Sequence, residues 1–227
     1  LPVGEGIGVR KLVWLDLCSG LGGASQPALD RGWKVITVDI DARFSPSIVA
    51  DVRALPLKPF HVDVLWASPP CQEFARNALP WKAKAPWTRC ECCDDFWCNI
   101  HRKHAYDCKC PPIDDWIPVS PYDPIGPPDE GIEIARACRA WVDYLKPGAW
   151  IIENTIHSRK WLTPVLGPVL SNIAGHYFWG RIPTLLPQVK RIPKESLWPT
   201  EDRAAERAKI PYEIGEAICR AVEARET

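Results

Sequence analysis

The chain has 227 residues, 46% of them hydrophobic, with 28 basic side chains balanced by 28 acidic ones. That length suits one large domain, or one domain carrying an insertion, and the charge balance excludes a global basic field, so any anionic partner must be met by a local surface. No run of about 18 apolar residues is present to span a membrane, and no charged-then-apolar leader opens the sequence, which together predict an intracellular protein, expected to be a monomer.

Residues 12–17 form a short apolar run that ends in a glycine-rich turn, a buried-strand signal. A helix is expected over 24–31, stopped by Gly32, and strands over 34–39, 47–51 and 62–67. Residues 69–128 are rich in Pro, Cys and Trp and lack periodicity, so they read as an irregular insertion. Regular structure resumes at 129–145, where Ile134, Cys138, Trp141, Val142 and Leu145 share a helical face that Pro147-Gly148 ends. A strand over 150–153, a helix over 161–174 broken near Pro164 and Pro168, a strand over 176–179 and an amphipathic helix over 211–225 complete the pattern. Strands alternating with helices predict a mostly parallel sheet covered on both faces, with ligands at the carboxyl ends of the strands.

Those strand ends carry the chemistry. The first runs into Asp16-Leu17-Cys18-Ser19-Gly20-Leu21-Gly22-Gly23, whose glycines let backbone pass close to a ligand; alone, this is a weak signal. The second ends in Asp39-Ile40-Asp41, where an acid can accept both hydroxyls of a ribose, and the third at Asp51, which could accept from an exocyclic amine. Three acids at successive strand ends favour an adenosine-containing cofactor over solvated loop acids. The fourth strand ends in Ser68-Pro69-Pro70-Cys71-Gln72-Glu73-Phe74, two prolines stiffening the turn that presents a thiol. The fifth ends in Glu153-Asn154-Thr155, a carboxyl group suited to handing a proton to a ring nitrogen.

In the order of these segments the chain resembles the DNA (cytosine-5)-methyltransferases, and in its short length and Pro-Pro-Cys-Gln-Glu-Phe stretch especially the small bacteriophage-type members. The likeness also takes in the closing segment Ile210-Pro211-Tyr212-Glu213-Ile214-Gly215. It implies a Rossmann-like class I fold dependent on S-adenosylmethionine, with DNA as the partner. Residues 1–74 would form the cofactor-binding half and the catalytic Cys loop, 75–128 the insertion, and 129–227 the remainder with its closing helix. Cys71 would attack C6 of a flipped cytosine and Glu153 would protonate N3. Asp16 would be a cofactor-binding residue, with Ser19, Gly20, Leu21 and Gly22 lining the methionine part; Asp39 would hold the ribose, Ile40 pack on the adenine and Asp51 hold its amine.

Two features depart from the family. Its Gln-x-Arg-x-Arg element is matched only by Gln188-Val189-Lys190-Arg191, which makes Arg191 the candidate for the catalytic Arg, with Arg181 as an alternative. Residues 192–209 are too few to hold the usual recognition region. The insertion is expected to replace it. There, Cys90, Cys92, Cys93, Cys98, His101, His104, Cys108 and Cys110 make a strong metal signal, with zinc the expected ion in a structural role. Arg76, Lys82, Lys84, Arg89, Arg102 and Lys103 lie around them, with Trp81, Trp87 and Trp97 available to stack on bases or to form a small core. Competing readings keep the same chemistry on RNA or a free cytidine nucleotide, or make the chain a non-catalytic, zinc-stabilised nucleic-acid-binding protein.

Overall fold

In the computed structural model, the described residues are 10–71, 74, 87–89, 96–98, 103–104, 129–184, 186–189 and 209–226. Seven strands form one sheet: β1 (Val13–Leu17), β2 (Lys34–Asp39), β3 (Ile48–Val49), β4 (Val64–Ala67), β8 (Ala149–Thr155), β9 (Ser171–Ile173) and β10 (His176–Arg181). Their order across the sheet is β3-β2-β1-β4-β8-β10-β9. The first five are parallel, whereas β10 runs antiparallel to both β8 and β9. This is a Rossmann-like arrangement, with the strand order reversing at β1, so the crevice for a ligand lies outside the carboxyl ends of β1 and β4.

Alternation along the strands explains the two layers. Leu15 and Leu17 of β1, Leu65 and Ala67 of β4, Ile152 of β8 and Trp179 of β10 face one core. There they meet Ile132, Ala135, Cys138 and Val142 of α2 (Asp129–Leu145) and Leu162 and Leu166 of α3 (Arg159–Leu166). Trp14, Val64, Trp66, Ile151 and Phe178 face the opposite core, with Ala28 of α1 (Gln26–Asp30) and Ile214, Ile218 and Cys219 of α4 (Tyr212–Glu226). Period-two side chains on strands covered on both faces give this two-sided burial. The indoles of Trp14 and Trp66 stack at 6.3 Å in the second core.

The expected helix over 129–145 forms over that span; Asp129 and Glu130 favour its first turn, and Lys146 closes it in the left-handed region at φ 50°. The expected helix over 161–174 is corrected. Helix α3 starts earlier, at Arg159, and stops at Leu166, because Gly167 turns away at φ 91° and Pro168 has no N–H to continue it. Residues 171–181 then make a β9–β10 hairpin through Ala174 and Gly175, both at positive φ, as a two-residue turn requires. Within the stretch read as irregular, β5 (Trp87–Arg89), β6 (Phe96–Cys98) and β7 (Lys103–His104) form a separate antiparallel sheet. Among the described residues no helix is long and apolar enough to cross a membrane.

Candidate active site

The loop after β1 is shaped by three positive-φ residues, Cys18, Gly20 and Gly22, and is sewn to β2. Ser19 N–H donates to the Val38 carbonyl at 3.1 Å, and Gly20 N–H donates to Asp39 Oδ2 at 2.8 Å. Asp39 Oδ1 accepts from Asp41 N–H at 2.9 Å. A carboxylate has about four acceptor sites, so Asp39 keeps capacity for a ligand hydroxyl while fixing the loop. A side chain at Gly20 would meet only open space, so the loop presents bare backbone there. Beside it Leu21 and Ile40 are exposed, Ile40 by 68%, which leaves an apolar surface at the end of β2 for a flat ring. Asp51 is committed differently: its two oxygens accept from the Arg53 guanidinium and backbone, and those bonds hold its carboxyl below the usual range.

Asp16 lies beneath the loop, not on its surface. It is buried, and its Oδ2 accepts from Ser25 Oγ at 2.6 Å. Burial pushes its pKa up to about 7, the Ser25 bond opposes this, and the nearby Asp39 charge adds to it. In the unfolded chain the group ionises near 3.8. Between those two pH values the folded state holds the extra proton, so stability falls as pH rises through the window and levels off above about 7. Asp16→Asn keeps an acceptor for Ser25 and removes this dependence. Each tenfold difference in proton affinity between folded and unfolded chain is worth about 1.4 kcal/mol. Denaturant melts of the variant should therefore lose on the order of 2–4 kcal/mol less than wild type between pH 4 and pH 8. Parallel stability curves for the two proteins would contradict the assignment.

Across the switch point, β4 and β8 end side by side in parallel register, Ala67 opposite Ile152. Ser68 N–H donates to the Leu17 carbonyl at 3.0 Å, and its hydroxyl accepts from Trp66 Nε1 at 2.8 Å. Asn154, fully buried, donates through Nδ2 to the Pro69 carbonyl at 2.8 Å and accepts from Thr155 N–H through Oδ1. The prolines stiffen this turn, the Asn154 amide ties it to β8, and buried Phe74 anchors its far side. Cys71 sits between these anchors at intermediate exposure. Glu153 is 6% exposed, and His176 Nδ1 lies 2.8 Å from its Oε1.

Cys18 and Cys219 are poor nucleophiles. A hydrogen bond with the Cys138 thiol, followed by burial, raises the Cys18 pKa, and burial pushes the Cys219 thiol up to about 12. Beside the Glu153 strand end, a cavity of about 630 Å³ is lined by Phe74, Ile156, His157, Arg159, Lys160, Thr163 and Pro164. Its basic side chains, His157, Arg159 and Lys160, are neighbours in the sequence just after β8, and they match no motif.

Six expected metal ligands, Cys90, Cys92, Cys93, His101, Cys108 and Cys110, and the expected catalytic Arg191 lie outside the described residues. Cys98 and His104 fall on the backbones of β6 and β7. Among the described residues no group of His, Cys, Asp or Glu is arranged to hold a metal ion. Arg181, the alternative basic residue, is turned to the Pro147 carbonyl at 3.1 Å.

Over 64 residues the chain is 38% identical to a probable DNA (cytosine-5)-methyltransferase of Frog virus 3 (isolate Goorha). The chain resembles the DNA (cytosine-5)-methyltransferases. That match takes in 27% of this chain and 30% of the viral protein, so the chain spans less than a third of that relative's length. No protein-family model matches the chain. Among solved structures it is similar to a putative DNA modification methyltransferase encoded within an E. coli prophage, at a TM-score of 0.41 and 18% identity over 84% of this chain and 51% of that one. It is also similar to a methyltransferase of Entamoeba histolytica, at a TM-score of 0.39 and 13% identity over 85% of this chain and 61% of that one.

Proposed function

We propose that the chain is a DNA cytosine C5-methyltransferase that works through a covalent Cys71–C6 adduct on a flipped base. The observation that carries this reading is the pairing of two adjacent strand ends. Cys71 follows β4, Glu153 closes β8, and the Asn154–Pro69 hydrogen bond joins the two. C5 of cytosine is a poor nucleophile, so the ring must first be activated. The Cys71 thiolate adds to C6, the C5=C6 electron pair shifts through C4, and N3 takes a proton from the Glu153 carboxyl group. That leaves an enamine with electron density at C5. After methylation, loss of the C5 proton to a base expels the Cys71 thiolate, and return of the N3 proton to Glu153 restores the neutral ring and the acid. The target carbon is out of reach inside a duplex, so the base must leave the stack.

The loop suits S-adenosylmethionine: Gly20 is bare and Asp39 retains acceptor capacity, while Leu21 and Ile40 offer exposed apolar contact. That cofactor would supply an electrophilic methyl group. Ser19, Gly20, Leu21 and Gly22 would hold its methionine part, Asp39 its ribose and Ile40 its adenine; Asp16 would hold the loop from below through Ser25. Asp51 could take the adenine amine only by sharing an oxygen with Arg53. Arg191 remains the candidate for the family's catalytic Arg.

DNA as substrate is supported by the His157, Arg159 and Lys160 side chains of the cavity beside the Glu153 strand end, which suit a phosphate backbone. The test is methyl transfer from labelled S-adenosylmethionine to mixed duplex DNA, followed by digestion to nucleosides. The expected product is 5-methyldeoxycytidine; label that enters RNA or free cytidine nucleotides but not DNA would redirect the substrate assignment.

For the insertion, Cys90, Cys92, Cys93, Cys98, His101, His104, Cys108 and Cys110 support a structural zinc site in a stretch without a hydrophobic pattern. Elemental analysis of the purified protein should find at least one zinc per chain. Metal-free protein with an unchanged melting temperature would end that part of the proposal.

A further inference from the structure

Glu153 needs more than burial to work as an acid. A carboxyl group has two oxygens and several rotamers, and only one arrangement aims a proton at a base in the site. Its neighbour on the sheet fixes that choice. β10 runs antiparallel to β8 with Phe178 opposite Glu153. Side chains alternate along a strand, so His176, two residues before Phe178, projects from the same face and reaches Glu153 diagonally. Its Nδ1 lies 2.8 Å from Oε1. Both side chains are largely buried, the imidazole 14% exposed and the carboxyl group 8%, and the imidazole packs 6.4 Å from the Phe178 ring, which limits its own freedom. No other hydrogen bond to the Glu153 side chain is seen among the described residues.

We propose that His176 is the positioning residue of the catalytic acid. Its Nδ1–H donates to Glu153 Oε1, which leaves Oε2 to carry the proton toward N3 of the cytosine while Cys71 adds to C6. When that proton leaves, the negative charge on the carboxylate stays hydrogen-bonded to the imidazole and is not stranded in an apolar setting. The inference rests on the assignment of Glu153 as the acid in cytosine methylation.

The consequence is step-specific. His176 acts on ring activation and not on methyl transfer, so its loss should slow adduct formation itself. That step can be read alone, without cofactor, as release of tritium from C5 of [5-³H]cytosine in duplex DNA, because the enamine exchanges its C5 hydrogen with water. His176→Leu keeps the bulk and removes the donor; tritium release and kcat should fall together by about 100-fold, the size of effect expected when a reacting group is misplaced. KM for DNA and for S-adenosylmethionine should change less than about threefold. His176→Asn sets an amide N–H near the place of Nδ1 and should recover activity to within about tenfold of wild type.

Equal losses in the Leu and Asn variants, or a Leu variant with full tritium release, would overturn the role of His176. If Glu153→Gln is as active as wild type, or wild type methylates no DNA cytosine, the underlying reading falls and the inference with it. A Glu153→Gln variant that is inactive beside a fully active His176→Leu variant would leave that reading standing and remove His176 alone.

Discussion

Cys71→Ala should abolish methylation, with kcat reduced by at least about 10⁴-fold, the scale seen when a nucleophile is deleted from a catalytic unit. The variant should still fold and bind cofactor, because Cys71 belongs to neither hydrophobic core. The turn that carries it is held by Asn154, Ser68 and Phe74 instead. Rescue by another thiol is not expected, since Cys18 and Cys219 are both held in the protonated form by their surroundings. A duplex with 5-fluorocytosine at the target position makes the experiment decisive. Once C5 carries both fluorine and methyl, no proton remains there to remove, so Cys71 cannot be expelled. Wild type should therefore form a protein–DNA adduct that survives denaturing electrophoresis, and Cys71→Ala should form none. Methylation by the alanine variant would rule out the covalent route.

The second large effect should come from Glu153→Gln. The amide keeps the shape and can still donate a hydrogen bond to N3, but it has no proton to give. General acid catalysis of this kind contributes about 10²–10⁴-fold, and kcat should fall by that factor with little change in KM for either substrate. Glu153 is nearly enclosed and its strand is central in the sheet, between β4 and β10. The neutral amide removes a carboxyl group from that apolar setting, so the folded state should tolerate it and thermal melting should stay near wild type. A variant with wild-type turnover would show that ring activation does not use this carboxyl group. A collapse in melting temperature would instead mark Glu153 as a structural partner of His176.

Much of this site could be read along the chain because its parts are local. The glycine loop, the acids after β2 and β3, and the Pro-Pro-Cys turn each lie within a few residues of a strand end, and strands announce themselves by short apolar runs. The parts that stayed hidden depend on register between distant segments. His176 becomes a partner of Glu153 only because an antiparallel hairpin sets Phe178 opposite that residue. The hairpin itself was disguised: its turn uses Ala174, which is not the residue expected at positive φ, and Pro164 and Pro168 read as breaks within one longer helix, whereas Pro164 lies inside the helix and Gly167 ends it. Asp16 followed the same logic. Its place at the edge of the loop suggested a ligand contact, whereas the alternation of β1 sends it down beside Trp14 to meet Ser25.

The contact between α4 and the first helix bears on how the molecule is made. A Cβ at Gly215 would collide with the Ala24 carbonyl, and Arg31 is paired with Glu216. Residues far apart in the sequence thus seal one face of the sheet. During synthesis, Trp14, Ala28 and Trp33 leave the ribosome well before Ile214, Ile218 and Val222, which cover them. Until then that aromatic face is open to water and to other chains. Folding of this half is therefore a long-range event, slow by virtue of sequence separation, and until α4 closes it this surface is the kind of exposed apolar face on which aggregation competes with folding.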